Sequence, residues 1–210
     1  MTADRHAAVY DGCVDDFVAR NRDIPPPVAA VGEELLDRLG AAPRILDLGC
    51  GPGRDMAWLE ARGASVVGLD VSAGMLGAAS RVVRGELVQA DMRELPFLDG
   101  SFDAVWCMAA LLHVPKAEAH GVLGEMRRVV RDRGLLALGL KQGDGEGWVE
   151  GPPGWDPRYF ALYEVDELVA LLADAGFGAG PVGANDGGRA QWLTVIATRD
   201  GPSRGATGSP

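Results

Sequence analysis

Lysine is almost missing from this chain. Only Lys116 and Lys141 are lysines among its 20 basic residues, and 30 acidic residues bring the formal charge to −10. No basic run interrupts that field. Such a chain lacks the electrostatic footprint of a nucleic-acid or anionic-membrane binder, so neither partner is expected. Long hydrophobic runs are missing too: no apolar stretch approaches the length of a membrane span. Met1-Thr2-Ala3-Asp4-Arg5-His6 has no basic segment followed by an apolar core, so no signal peptide is expected. Cysteine is scarce. Cys13, Cys50 and Cys107 are an odd number with no CxxC pair, which argues against a disulfide framework or a cysteine-based metal site. The expectation is a cytoplasmic protein without metal, monomer or homodimer. The excess of Arg, Ala and Gly over Lys, Asn and Ile is associated with GC-rich bacterial genomes and, through them, with secondary metabolism.

What is present reads as alternating strands and helices. The 210 residues suit one domain. Val14, Phe17 and Val18 mark a short helix, and Pro25-Pro26-Pro27 breaks it off. Val28, Val31, Leu35 and Leu39 then recur at helical spacing up to Gly40. From Arg44 the order is strand (44–48), helix (54–62), strand (65–70), helix capped by Ser72 (to 80), and short strand (86–89). A strongly apolar strand (102–108), a helix (116–131) and a strand (135–140) follow. Residues 142–160 break the rhythm as a Gly/Pro-rich loop carrying Trp148, Trp155, Tyr159 and Phe160. A loop this long suggests a lid. A helix from Val165 to Gly176 and a last strand (192–198) close the fold. The expected architecture is α/β, a parallel sheet with helices on both faces. Residues 1–40 form a helical N-terminal cap, 41–199 the main domain, and 200–210 a disordered tail.

Ligands of parallel sheets bind at the carboxyl ends of strands. The first strand runs into Asp47-Leu48-Gly49-Cys50-Gly51-Pro52-Gly53-Arg54-Asp55, a glycine-rich turn opening a helix. A dinucleotide turn needs GxGxxG, but counting from Gly49 the third glycine is replaced by Arg54, and from Gly51 by Met56. No GxxxxGK[ST] run exists either. An acidic residue followed by GxGxG after the first strand, with Asp70 closing the second, resembles the class I S-adenosylmethionine-dependent methyltransferases. Phe97-Leu98-Asp99-Gly100-Ser101-Phe102-Asp103 resembles that superfamily's lead-in to strand four. Leu111-Leu112-His113-Val114 resembles the loop after it. Met126 to Gly134 resembles its RVLKPGG turn, with Asp132-Arg133-Gly134 in place of Pro-Gly-Gly. The likeness is greatest to the compact small-molecule enzymes related to those of quinone biosynthesis.

The resemblance implies a Rossmann-like, mostly parallel seven-stranded sheet with helices on both faces and an antiparallel last strand, and S-adenosylmethionine as cofactor. Asp47, Gly49, Cys50, Gly51, Gly53 and Asp55 would surround its methionine end. Asp70, with Val71 and Met75 beyond it, would hold the ribose diol. Asp91 would accept from the adenine amino group while Met92 packs on the ring, and Met108 closes strand four nearby. The acceptor side is read from position alone. His113 sits at the site mouth as the candidate base, or as a residue that ties down its loop. Lys141 ends strand five and suits an acidic substrate or solvent. Tyr10, Trp148, Tyr159 and Tyr163 are candidate lid or substrate contacts. His6 reads as part of an unstructured terminus. The expected activity is O-, N- or C-methylation of a small molecule. The alternatives are a nicotinamide-dependent oxidoreductase, which lacks its glycine signature here, and a non-catalytic cofactor-binding module.

Overall fold

The computed structural model describes residues 3–188 and 190–201; most of the expected tail lies outside them. Three helices come first: α1 (Ala3–Asp11), α2 (Val14–Arg20) and α3 (Pro26–Leu39). The N-terminal stretch that reads as unstructured is therefore helical. α3 starts on Pro26, whose fixed φ suits a first helical turn, and ends on Gly40 at φ 78°.

The alternating part follows as β1 (Arg44–Leu48), α4 (Arg54–Glu60), β2 (Ser65–Asp70), α5 (Ala73–Ala79), β3 (Leu87–Gln89) and β4 (Phe102–Met108). A 3₁₀ turn at Leu111–His113 then leads to α6 (Lys116–Val129) and β5 (Val130–Lys141). Ser72 caps α5 as expected, its Oγ accepting the Met75 N–H at 3.0 Å. The helix read as ending at Arg131 stops at Val129, because the chain turns directly into β5. Arg133 occupies the left-handed region at φ 59°, beside an irregularity in the β4–β5 register.

The loop expected at 142–160 is partly regular. β6 (Glu146–Val149) and β7 (Arg158–Ala161) pair as an antiparallel hairpin, with Trp148 opposite Tyr159. An aromatic cross-strand pair of this kind stabilises two short strands. The Gly/Pro residues fall in the connection between them. After α7 (Val165–Asp174) come two short strands, β8 (Phe177–Ala179) and β9 (Gly183–Asp186), and then β10 (Gln191–Arg199).

The main sheet runs β3-β2-β1-β4-β5-β10-β8, with β9 also on β10. The first five strands are parallel, and β10 is antiparallel to each of its neighbours. Seven positions are thus filled by eight strands: β8 and β9 pair with opposite ends of β10, so the edge position is interrupted. Strand alternation splits β4 between two cores. Phe102, Val105 and Cys107 pack with α6 and α7 residues such as Leu123 and Leu168, while Ala104 and Trp106 pack with Leu35, Met56 and Leu59 of α3 and α4. No helix among the described residues is long and apolar enough to cross a membrane.

Candidate functional site

The carboxyl ends of β1, β2 and β4 open onto a cavity of about 620 Å³. Its floor is the glycine turn. Gly49, Gly51 and Gly53 all have positive φ, at 75°, 53° and 85°. At Gly49 the requirement is double, since a Cβ there would stand 2.4 Å from the Ala110 Cβ. The Gly49 and Cys50 N–H groups both donate to the Leu69 carbonyl, at 2.7 and 3.0 Å, fixing the turn to β2.

Three carboxylates ring this turn. Asp47 is buried, and its Oδ2 has no hydrogen-bond partner among the described residues. Burial, compounded by the charge of Asp55, holds its carboxyl well above the ordinary range. Asp55 is tied down on both oxygens: Arg54 Nε lies 2.6 Å from Oδ1 and Trp106 Nε1 donates to Oδ2 at 3.1 Å. Trp106, at the centre of the sheet, is therefore a support for the site and not a wall of it. Asp70 accepts the Gly51 N–H at 2.8 Å and the Ser72 N–H at 2.9 Å. It braces the turn and also fixes Ser72, the N-cap of α5, and burial raises its carboxyl despite those donors.

Of the expected cofactor residues, Asp47, Gly49, Cys50, Gly51, Asp55, Asp70, Val71, Met75, Asp91, Met92 and Met108 all line the cavity. Gly53 does not. It is the left-handed N-cap of α4, and a Cβ there would meet Val83 at 2.7 Å, so its role is to let the turn pass. Asp91 accepts the Arg93 N–H at 3.0 Å, and its other oxygen lies 2.8 Å from the Arg93 guanidinium.

The N-terminal helices form the opposite wall. Tyr10 and His113 line the cavity and lie 2.7 Å apart, Oη to Nε2. The Nδ1 of His113 is 2.7 Å from the Tyr159 carbonyl, which can only accept; Nδ1 therefore carries the proton and Nε2 accepts from Tyr10. Burial pushes His113 down to about 3 and Tyr10 up to about 12. Both groups stay neutral, and neither imidazole nitrogen is left for a substrate proton. Asp11 anchors this wall by accepting from Ser72 Oγ at 2.5 Å and from the Gly74 N–H at 2.8 Å.

The other expected acceptor contacts are displaced from the cavity. Tyr163 is a core residue, 1% exposed, because its backbone pairs with Lys141 and turns the ring inward. Trp148 and Tyr159 meet edge to face in the hairpin, and Arg5 covers the Trp148 ring at 3.6 Å. Lys141 lies over the Phe160 ring at 3.7 Å and not on the cavity wall. His6, in contrast, lines the cavity on α1, its ring 5.2 Å from that of His113. Phe17, the Pro25–Val28 segment, Asn185, Trp192 and Thr194 also contribute walls that the sequence does not announce. Phe17 lies on a helical stripe that could have flagged it; Asn185 sits on β9, which has no readable pattern.

The lining suits a ligand with a cationic end beside Asp47, a polar middle beside Asp70 and a flat apolar end against Met92. An orphaned buried carboxylate oxygen is the feature that asks for a cation.

Comparison with known proteins agrees with this geometry. Residues 46–138 match the family model described as a methyltransferase domain. An uncharacterised methyltransferase of Synechocystis is 33% identical over 153 residues, covering 68% of this chain and 71% of that protein. The methyltransferase GfsG of Streptomyces halstedii is 36% identical over 126 residues, covering 53% of this chain and 45% of the relative. A demethylmenaquinone methyltransferase of Beutenbergia cavernae is 42% identical over 137 residues, covering 60% and 55%. The chain thus spans about half the length of these last two relatives. Among solved structures, the 1,6-didemethyltoxoflavin-N1-methyltransferase of Burkholderia thailandensis, with bound S-adenosylhomocysteine, superposes with TM-score 0.71 at 21% identity, covering 95% of this chain and 91% of that one. The chain belongs to the class I S-adenosylmethionine-dependent methyltransferases.

Proposed function

We propose that the protein moves a methyl group from S-adenosylmethionine to an O, N or C atom of a small molecule in the cytoplasm. The observation that carries this reading is Asp47: a buried carboxyl with an unpartnered oxygen on the wall of a cavity that Asp70, closing β2, and Asp91, just after β3, also line. When bound, the cofactor supplies an activated methyl on a positive sulfur. Asp47 holds its ammonium end, Asp70 accepts from its ribose hydroxyls with the lone pairs left by Gly51 and Ser72, and Met92 packs on adenine near Asp91.

The chain's own contribution is alignment and a dry site. Tyr10, Phe17 and Met108 shape the acceptor end. His113 is a positioning residue in this scheme. Held neutral, with both nitrogens occupied, it orients the Tyr10 phenol and fixes the hairpin over the site. Transfer without a protein base suits an acceptor that is nucleophilic already.

Calorimetry with S-adenosylhomocysteine tests the cofactor reading, and an absence of binding at millimolar ligand would refute it. Incubation with methyl-labelled cofactor and a host-cell extract separates an enzyme from a binding module, which would label nothing.

A further inference from the structure

Lys141 and Arg158 stand out in a chain of charge −10. Neither makes an ion pair within 4.0 Å among the described residues; the Arg158 guanidinium reaches the Tyr10 phenol, but its Nε is buried without a partner. Yet both lean on one ring. The Lys141 ammonium is 3.7 Å from the centre of Phe160, and the Arg158 guanidinium is 5.2 Å from it. Two like charges against one phenylalanine repel each other. Burial, with Arg158 adding to it, holds the Lys141 ammonium below its ordinary range. Aromatic faces offset part of that cost but accept no N–H in the geometry these donors prefer. The two cations also adjoin the cavity. Lys141 is 5.8 Å from the ring of Trp192, a wall residue, and the charge of Arg158 acts on Tyr10 and His113, two more.

Resting on the methyltransferase reading above, we infer that Lys141 and Arg158 form an anion subsite that selects a methyl acceptor bearing a carboxylate on an aromatic ring. A guanidinium fork and an ammonium are the donors a carboxylate requires. Trp192, on the cavity wall, supplies a flat apolar surface for the ring that carries it. The positive pair, set against the acidic cofactor end, would also orient the acceptor: its carboxylate faces the hairpin while the opposite edge faces Met108.

Scarcity of lysine makes this measurable. Isotope-labelled lysine gives two side-chain signals, and Lys116, 2.8 Å from Glu167, is the internal control. The protein is titrated with benzoate and with benzamide, its uncharged isostere, with and without S-adenosylhomocysteine. Benzoate should shift the Lys141 signal saturably, leave Lys116 in place, and bind more than about tenfold tighter than benzamide. Arg158→Gln and Lys141→Gln should each remove most of that preference, while retained S-adenosylhomocysteine binding reports that the variants fold. Equal binding of the two compounds, a response at Lys116 alone, or no saturable response overturns the subsite. Failure of S-adenosylhomocysteine to bind would instead overturn the cofactor reading, and the benzoate preference of the free protein still decides this one.

Discussion

The Tyr10 phenol donates to the His113 imidazole across 2.7 Å, joining the first helix to the loop after β4 over 103 residues of sequence. The bond closes the cavity on the side away from the glycine turn. Because His113 spends its other nitrogen on the Tyr159 carbonyl, one ring ties three elements together: α1, the 3₁₀ turn and β7. Tyr10→Phe keeps the ring and leaves a buried Nε2 without its donor. The variant should lose about 1–3 kcal/mol of stability, the cost of one unsatisfied buried polar group. Urea unfolding of the two proteins measures it, and an unchanged midpoint would show that solvent replaces the phenol freely.

The same burial predicts acid sensitivity. His113 is pushed down from 6.5 to about 3 and His6 from 6.5 to about 4, burial being the largest cause for each. A depressed folded-state value means that the unfolded chain takes up the proton first. Stability from these residues is fully present above 6.5 and is lost as pH falls toward the folded values. At pH 5 the loss from His113 alone is about 2 kcal/mol. Thermal unfolding between pH 7 and pH 4.5 should show this slope, and His6→Phe should flatten it. A slope identical in wild type and variant would exclude His6 from the effect.

How much of this was readable beforehand follows from the range of the interactions. Asp47 lies near the end of β1, Asp70 closes β2 and Asp91 comes just after β3, strands of five, six and three residues, so local signals placed them. Their roles in the protein itself were less legible. That Asp70 braces Gly51 depends on a contact 19 residues away, and that Trp106 holds Asp55 depends on one of 51. Periodicity carries no such information. The hairpin was hidden because its Gly and Pro residues dominate the composition of 142–160, while its strands are four residues each. The β8–β9 edge failed for a related reason: Gly178, Gly183 and Asn185 are poor strand formers, held there by pairing with β10. Tyr163 was misplaced because an aromatic after a loop looks the same whether its ring turns inward or outward.

Asp47 should show opposite effects on stability and binding. Its folded-state value is raised, so its contribution is fully present below the unfolded value of 3.8 and is lost as pH rises through the raised one. Ionising this buried carboxyl in the ligand-free protein is therefore unfavourable. Asp47→Asn removes that charge at nearly constant shape. It should raise the melting temperature of the free protein, increasingly so as pH climbs above about 4, and weaken S-adenosylhomocysteine by more than about tenfold. Stabilisation without loss of binding would separate Asp47 from the ligand, and the ammonium end would have to be placed elsewhere.

Asp70 carries two jobs that a pair of substitutions can divide. Asp70→Ala frees the Gly51 and Ser72 N–H groups and removes the acceptor for a ribose diol together. It should cost about 1–3 kcal/mol of stability and more than about tenfold in S-adenosylhomocysteine affinity. Asp70→Asn keeps one acceptor oxygen for the backbone but turns an amide toward the other donor, so it should recover part of the stability and little of the affinity. Equal recovery of both would mean that Asp70 acts only by bracing the turn.

The N-terminal helices and the hairpin hold each other over the cavity, and one indole bond lies at the junction. The Trp155 Nε1 donates to Asp16 Oδ2 at 2.6 Å, and the Trp155 ring lies 5.9 Å from that of Phe17, a cavity wall. Further along the same seam His6 stacks on Trp148 at 6.0 Å. If these contacts clasp a cover over the acceptor end, loosening one side must loosen the other. Trp155→Phe retains an aromatic ring and removes the donor. Amide hydrogen exchange should then rise together in residues 3–20 and 146–161, while β1 and β4 stay protected. Ligand that fills the acceptor end should reverse the rise in both segments. Faster exchange confined to the hairpin would show that the N-terminal helices rest on α5 through Asp11 alone, and that the cover is two independent pieces.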